Sequence, residues 1–172
     1  MTKILAIDVH YGDEIAVAAG VLFSAWDAQT AELEKTCDVP VDSDYIPGQF
    51  YLRELPCIFA LLDEFESMPD MIVVDGYVQL GAEQKAGLGQ HLWQELNKSV
   101  PIIGVAKSKF QGAPDETRLL RGKSETPLYV TSAGLELETA KSYIASMAGP
   151  YRIPTLLKQV DQLCRARLES LG

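Results

Sequence analysis

Three carboxylates in this chain stand beside apolar runs, and their type suits the binding of hard cations. Asp8 closes Ile4-Leu5-Ala6-Ile7, Asp75 closes Met71-Ile72-Val73-Val74, and Glu54 lies in Leu52-Arg53-Glu54 at the start of an amphipathic segment. Oxygen-only ligands favour Mg²⁺ or Mn²⁺, ions that retain waters and bind phosphate oxygens. Three carboxylates on one spot would repel one another unless a cation neutralised them. The matching chemistry is phosphodiester hydrolysis, where such ions orient and activate a water and offset charge on the phosphate and the leaving oxygen. Plainer readings stand beside this one. Asp75 before Gly76 can simply cap a turn, and a glutamate on a helix is ordinarily solvated surface. Lys107 follows the apolar run Ile102–Ala106 and so emerges at a strand end, where a fixed cation can meet phosphate or the carboxylates. Alone it could equally be a solvated lysine opening a loop.

The elements that must position these residues are legible in the hydrophobic pattern. Residues 3–9, 15–24 and 30–39 read as three successive strands with short links, an antiparallel meander, with a tight turn at His10-Tyr11-Gly12-Asp13. An irregular loop follows, punctuated by Pro40, Pro47 and Gly48. Residues 50–66 carry Leu52, Leu55, Ile58, Phe59, Leu62 and Phe65 at helical spacing, with Pro56 as an irregularity near the start. Met71 to Asp75 is a strand buried on both faces, of the kind found inside a parallel or mixed sheet. A helix over 84–96, strands over 102–106 and 128–132, and closing helices over 137–147 and 155–171 complete the chain. In open α/β sheets functional groups gather beyond the carboxyl ends of the strands, where Asp8, Asp75 and Lys107 all fall. The glycines Gly81, Gly87 and Gly89 lack phosphate-loop spacing and are assigned to close packing of helix on strand.

Composition bounds the function. The 172 residues suffice for one domain with a proper core, and residues 1–172 show no repeat or linker. At 47% hydrophobic and 23% charged, with mean hydropathy +0.02, the chain is that of an ordinary globular protein. No apolar run approaches the ~20 residues of a membrane span. The scattered Cys37, Cys57 and Cys164 have no pairing logic and read as reduced thiols in a cytoplasmic protein. The net charge of -9 and pI near 4.7 count against a broad basic face that grips nucleic acid. They leave room for a local site where a cation mediates contact with phosphate. Oligomeric state is open, with a monomer the simpler expectation.

Meander, helix, strand, helix, strand is the order of a ribonuclease H-like α/β fold, a mixed sheet of antiparallel meander plus parallel strands flanked by helices. That arrangement sets the first strand beside the strand after the first helix, bringing Asp8 and Asp75 to one end, with Glu54 leaning over it from the helix. Beyond the fold, the blocks Tyr45-Ile46-Pro47-Gly48, Leu52-Arg53-Glu54, Val73-Val74-Asp75-Gly76, Gly87-Leu88-Gly89-Gln90-His91-Leu92 and Gly104-Val105-Ala106-Lys107-Ser108 resemble the endonuclease V family in order and spacing. The resemblance runs from Asp8 to Arg152-Ile153-Pro154. It implies a Mg²⁺-dependent (or Mn²⁺-dependent) nuclease acting on DNA or RNA near deaminated purines such as inosine. The family's acid triad matches Asp8, Glu54 and Asp75, as metal ligands and catalytic residues, and its lysine near the scissile phosphate matches Lys107. The tyrosine of its strand-prying wedge matches Tyr45. An aromatic, an apolar residue and a rigid turn, as in Tyr45, Ile46, Pro47 and Gly48, also suit the unstacking of bases.

Departures from the family pattern define the alternative. The family has a helical segment ahead of the first strand, a histidine in the loop after its VDG block, and a histidine on its closing helix beside the metal. Here Gln159 stands where that last histidine is expected, with Asp161 nearby but facing differently, and Asp44 replaces the proline before the wedge. His10 is expected to be exposed and His91 structural. The first reading is a metal-dependent endonuclease. The second is an attenuated or inactive relative that binds nucleic acid or a protein, and the third a phosphodiesterase or small-molecule enzyme on the same fold.

Overall fold

The structure, a computed structural model, describes residues 2–41, 51–81 and 85–172. The meander forms as β1 (Ile4–Tyr11), β2 (Ile15–Phe23) and β3 (Leu33–Pro40), and is followed by helix α1 (Tyr51–Leu62). Strand β4 (Met71–Asp75) leads into two-residue strands β5 (Gln79–Leu80) and β6 (Lys85–Ala86), which pair with each other, and then helix α2 (Leu88–Glu95). Strands β7 (Ile102–Ala106), β8 (Arg118–Leu119) and β9 (Leu128–Ala133) precede helices α3 (Leu137–Ser146) and α4 (Thr155–Leu171). Among the described residues, seven strands make one mixed sheet in the order β3-β2-β1-β4-β7-β9-β8. Its centre, β1-β4-β7, is parallel, and its remaining pairings are antiparallel. This is the ribonuclease H-like arrangement expected from the element order.

The alternation of side chains along the strands divides the core in two. Ile4, Ala6, Val73, Ile103 and Val105 pack toward α3 and α4, against Ile144, Leu156, Val160 and Cys164. Leu5, Ile7, Ile72, Val74 and Ile102 face α1 and α2, against Ile58, Leu61 and Leu92. The parallel strands are buried on both faces, which is why their sequences are unbroken apolar runs. Cys57 and Cys164 are buried and Cys37 is half-buried, and none forms a disulfide. No helix among the described residues is long and apolar enough to cross a membrane.

Two differences from the sequence reading bear on function. The first strand continues through His10 to Tyr11, so the turn begins two residues later than expected. The second helix begins at Leu88 rather than near residue 84, because Lys85 and Ala86 pair with β5 and Gly87 is its N-cap. A Cβ on Gly87 would lie 2.6 Å from the Tyr77 carbonyl oxygen, and one on Gly89 would lie 2.6 Å from the Val78 side chain. The glycines therefore serve close packing, against the segment after β4.

Gly104 secures the strand end that carries Asp75. A Cβ there would sit 2.5 Å from the Gly76 carbonyl oxygen, 2.8 Å from Thr131 Oγ1 and 2.9 Å from the Val78 nitrogen. Gly76 itself holds φ +123°, a backbone that L side chains rarely adopt, and so frees the chain to turn away beyond Asp75. Gly104→Ala must displace backbone, so it should cost about 1–3 kcal/mol. The check is a fall in the denaturant midpoint at unchanged m-value.

Candidate active site

Strand register sets the first two carboxylates side by side. Ile7 pairs with Val74 across the parallel β1–β4 ladder, so Asp8 and Asp75 are the next residues on adjacent strands. The alternation that turns Ala6 and Val73 toward α4 turns Asp8 and Asp75 the same way. Glu54, in the first turns of α1, reaches the same end from the opposite face. Asp8, Glu54 and Asp75 line one cleft of about 310 Å³, together with His10, Gly76 and Leu88. Asp8 and Glu54 are almost fully buried, while Asp75 is open to solvent. Lys107, two residues beyond Val105 on β7, holds Nζ 3.7 Å from Asp75 Oδ2. The Arg152 guanidinium donates to the carbonyls of Lys107 and Pro127, fixing the chain where that lysine leaves the sheet.

Burial and mutual repulsion make Asp8 and Glu54 hold protons tightly. Burial, and then the charges of Asp8 and Asp75, push the Glu54 carboxyl up to about 8. Burial and then the Asp75 charge push Asp8 up to about 6, against the lowering influence of His10. Buried carboxyls that keep protons near neutrality report a deficit of positive charge. The oxygen donors of Asp8, Glu54 and Asp75 line one cleft whose own cations do not neutralise them, which suits a hard divalent cation. The tight ligand group among the described residues is Asp8, His10 and Asp161, one atom of each within 4.8 Å of the others.

The structure gives two residues a part in the site that the sequence reading set near it but did not use. His10 Nε2 lies 2.9 Å from Asp8 Oδ2 and 3.0 Å from Asp161 Oδ1, and its side chain is about a quarter exposed. The sequence sets His10 just past Asp8 but expects it exposed, and sets Asp161 nearby at a different facing from the family's histidine; in the structure both point into the site. Burial raises the Asp161 carboxyl, but hydrogen bonds to Asp8, Arg165 and His10 outweigh it and hold Asp161 below the ordinary range. The missed signal for His10 is period two: residues 8 and 10 of one strand share a face, once the strand is carried past Val9. For Asp161 it is an acid on the helix stripe that contains Leu157 and Cys164, the side that packs on the sheet. Gln159, expected at the place of the family's histidine, turns away and donates to Glu34 of β3 instead. His91 stands on α2 and takes no part in the Asp8–His10–Asp161 group. The wedge residues Tyr45, Ile46, Pro47 and Gly48 lie outside the described residues.

Comparison with known proteins agrees with this layout. The family model described as Endonuclease V matches residues 1–131. An endonuclease V of Streptomyces avermitilis is 31% identical over 191 aligned positions, covering 97% of this chain and 81% of the relative. The crystal structure of a Streptomyces avermitilis endonuclease V is 30% identical, with a TM-score of 0.76 over 99% of this chain and 83% of its own. A Ciona intestinalis endonuclease V, crystallised with a 24mer DNA containing an inosine followed by a ribo-adenosine, has the same fold at 22% identity. Its TM-score is 0.79, over 99% of this chain and 87% of that one.

Proposed function

This chain belongs to the endonuclease V family of phosphodiester hydrolases, and we propose that it cuts a DNA or RNA strand near deaminated purines, inosine above all, using a divalent cation. The observation that supports this most is the convergence of Asp8, Glu54 and Asp75, two of them buried and protonated more readily than usual, beside Lys107. Asp8, Glu54 and Asp75 would hold Mg²⁺ or Mn²⁺. When bound, such an ion supplies positive charge that offsets the charge building on the phosphate and the leaving oxygen.

The chain's own residues supply orientation and a second positive charge. Lys107, with its ammonium near Asp75 and its backbone held by Arg152, stands beside the solvent-open carboxylate of the cleft, where a strand phosphate can approach. Its charge is fixed before substrate arrives, so no reorganisation is needed as charge develops. Asp75 is the exposed carboxylate and so faces incoming substrate, while the buried Asp8 and Glu54 form the floor.

Substrate choice is tested on paired strands, one with a single inosine and one without, each with Mg²⁺ and with Mn²⁺. Cleavage confined to the inosine strand supports the reading. Equal cleavage of both removes the inosine preference, and cleavage of neither removes the nuclease assignment. Lys107→Ala is expected to lower kcat about 100- to 1,000-fold, the usual loss when a preorganised charge partner of the transition state is deleted. Its thermal midpoint should stay near wild type, because the side chain is 37% exposed. Unchanged kcat in that variant would place Lys107 outside the reaction.

A further inference from the structure

We propose that His10 is a direct nitrogen ligand in the cation site, and that with Asp8 and Asp161 it turns this site toward Mn²⁺ and the later first-row ions and away from Mg²⁺. The inference rests on the metal-dependent reading above and concerns which ion that site takes.

The Nε2 of His10 sits between two carboxylates on different elements, Asp8 on β1 and Asp161 on α4, at 2.9 and 3.0 Å. One ligand atom from each of the three residues falls within 4.8 Å of the others. Adjacent ligands about an octahedral ion with bonds of roughly 2.1 Å are separated by about 3.0 Å. The observed separations therefore match ligand positions as well as they match hydrogen bonds. Arg165 Nε, 3.1 Å from Asp161 Oδ2 and 3.2 Å from Oδ1, orients the Asp161 carboxylate from outside the group, as partners of metal ligands commonly do. An ion at Nε2 takes the lone pair there, and the proton of the neutral ring then resides on Nδ1.

Chemistry gives the direction. Mg²⁺ prefers oxygen and gives up water reluctantly, so an imidazole gains it little. Affinity for nitrogen donors rises from Mn²⁺ through the later first-row ions. The closing helix brings an aspartate rather than a histidine to the site, and the imidazole arrives from β1, two residues after a carboxylate of the same strand.

The test is pulsed electron paramagnetic resonance on the protein loaded with Mn²⁺, with Mg²⁺ as competitor in parallel titrations of wild type and His10→Ala. The chain has two histidines, and His91 is outside the group, so a nitrogen hyperfine coupling on bound Mn²⁺ assigns His10. Wild type is expected to show the coupling. His10→Ala should lose it, with Mn²⁺ affinity falling at least about tenfold and Mg²⁺ affinity changing far less. His10→Gln gives the same readout with a hydrogen-bonding side chain in place, should the alanine variant fold poorly. Mn²⁺ bound without nitrogen coupling, or equal losses for both ions, would overturn the inference and leave the metal-dependent reading standing. No Mn²⁺ binding by wild type would overturn both.

Discussion

Asp8→Asn is expected to lower strand cleavage at least about 1,000-fold while leaving the protein folded. Asp8 is the residue on which the site's interactions meet. It adjoins Asp75 across the parallel ladder, hydrogen-bonds His10, shares a hydrogen bond with Asp161, and lines the cleft with Glu54. On the proposed reading, removing its charge would take away one ligand of the cation and part of the field that places it, and a loss of several kcal/mol in transition-state stabilisation corresponds to three or more powers of ten in rate. Stability should move the other way. Asp8 is 6% exposed and its carboxyl is raised to about 6, so near pH 8 the folded protein without metal carries a desolvated charge that asparagine lacks. The thermal midpoint of the metal-free variant should therefore match or exceed wild type at pH 8. A cleavage loss accompanied by a large fall in that midpoint would point to misfolding instead of a lost ligand.

The raised carboxyls set a pH dependence of equal diagnostic value. Glu54 keeps its proton in the folded protein up to about 8, whereas the unfolded chain releases it near 4.5. Within that window the native state binds more protons, so stability without metal must fall as pH rises, by at most about 1.4 kcal/mol for each pH unit crossed. Asp8 adds a fall of the same sign between about 4 and 6. A divalent ion held by these two carboxyls, as proposed, would have to displace those protons, so its apparent affinity should climb with pH until Glu54 is ionised, and binding should release protons to the buffer. At a hundredfold excess over its dissociation constant the ion should add about 2.7 kcal/mol of stability. Melts at pH 5.5, 7 and 8.5 with and without Mn²⁺ check this. The metal-free midpoint should fall between pH 5.5 and 8.5 and the Mn²⁺ increment should grow. An increment independent of pH would show that Glu54 and Asp8 are not the groups the ion displaces.

How much of this is legible in the sequence depends on whether the signal is local. Met71–Asp75, Ile102–Ala106 and Thr155–Leu171 have the bounds read from the pattern, because strands buried on both faces and a long amphipathic helix declare themselves without their neighbours. The approach of Asp8 to Asp75 follows from element order alone, through the rule that places β1 beside β4. His10 is lost to a competing local signal: Gly12-Asp13 reads as a turn, and the pattern starts that turn two residues too early, hiding the shared face of residues 8 and 10. Asp161 is tertiary information, since a helix shows which stripe is buried but not which strand end that stripe meets. Gln159 shows the converse. The family resemblance implies a place for it beside a metal, and the helix phase directs it to Glu34. Strands of two residues, such as Arg118–Leu119, carry too few side chains to show any period.

The central claim is that the three carboxylates and their cation perform strand cleavage. Its most direct measurement is single-turnover cleavage of a strand bearing one inosine, by wild type and by Asp75→Asn purified side by side, with Mn²⁺ and with chelator. Asp75 is the exposed member of the set, so its replacement perturbs the core least. The expected result is cleavage by wild type with Mn²⁺, none with chelator, and at least about a 1,000-fold slower rate for Asp75→Asn. Equal rates for the two proteins, or cleavage that survives the chelator, would contradict the account.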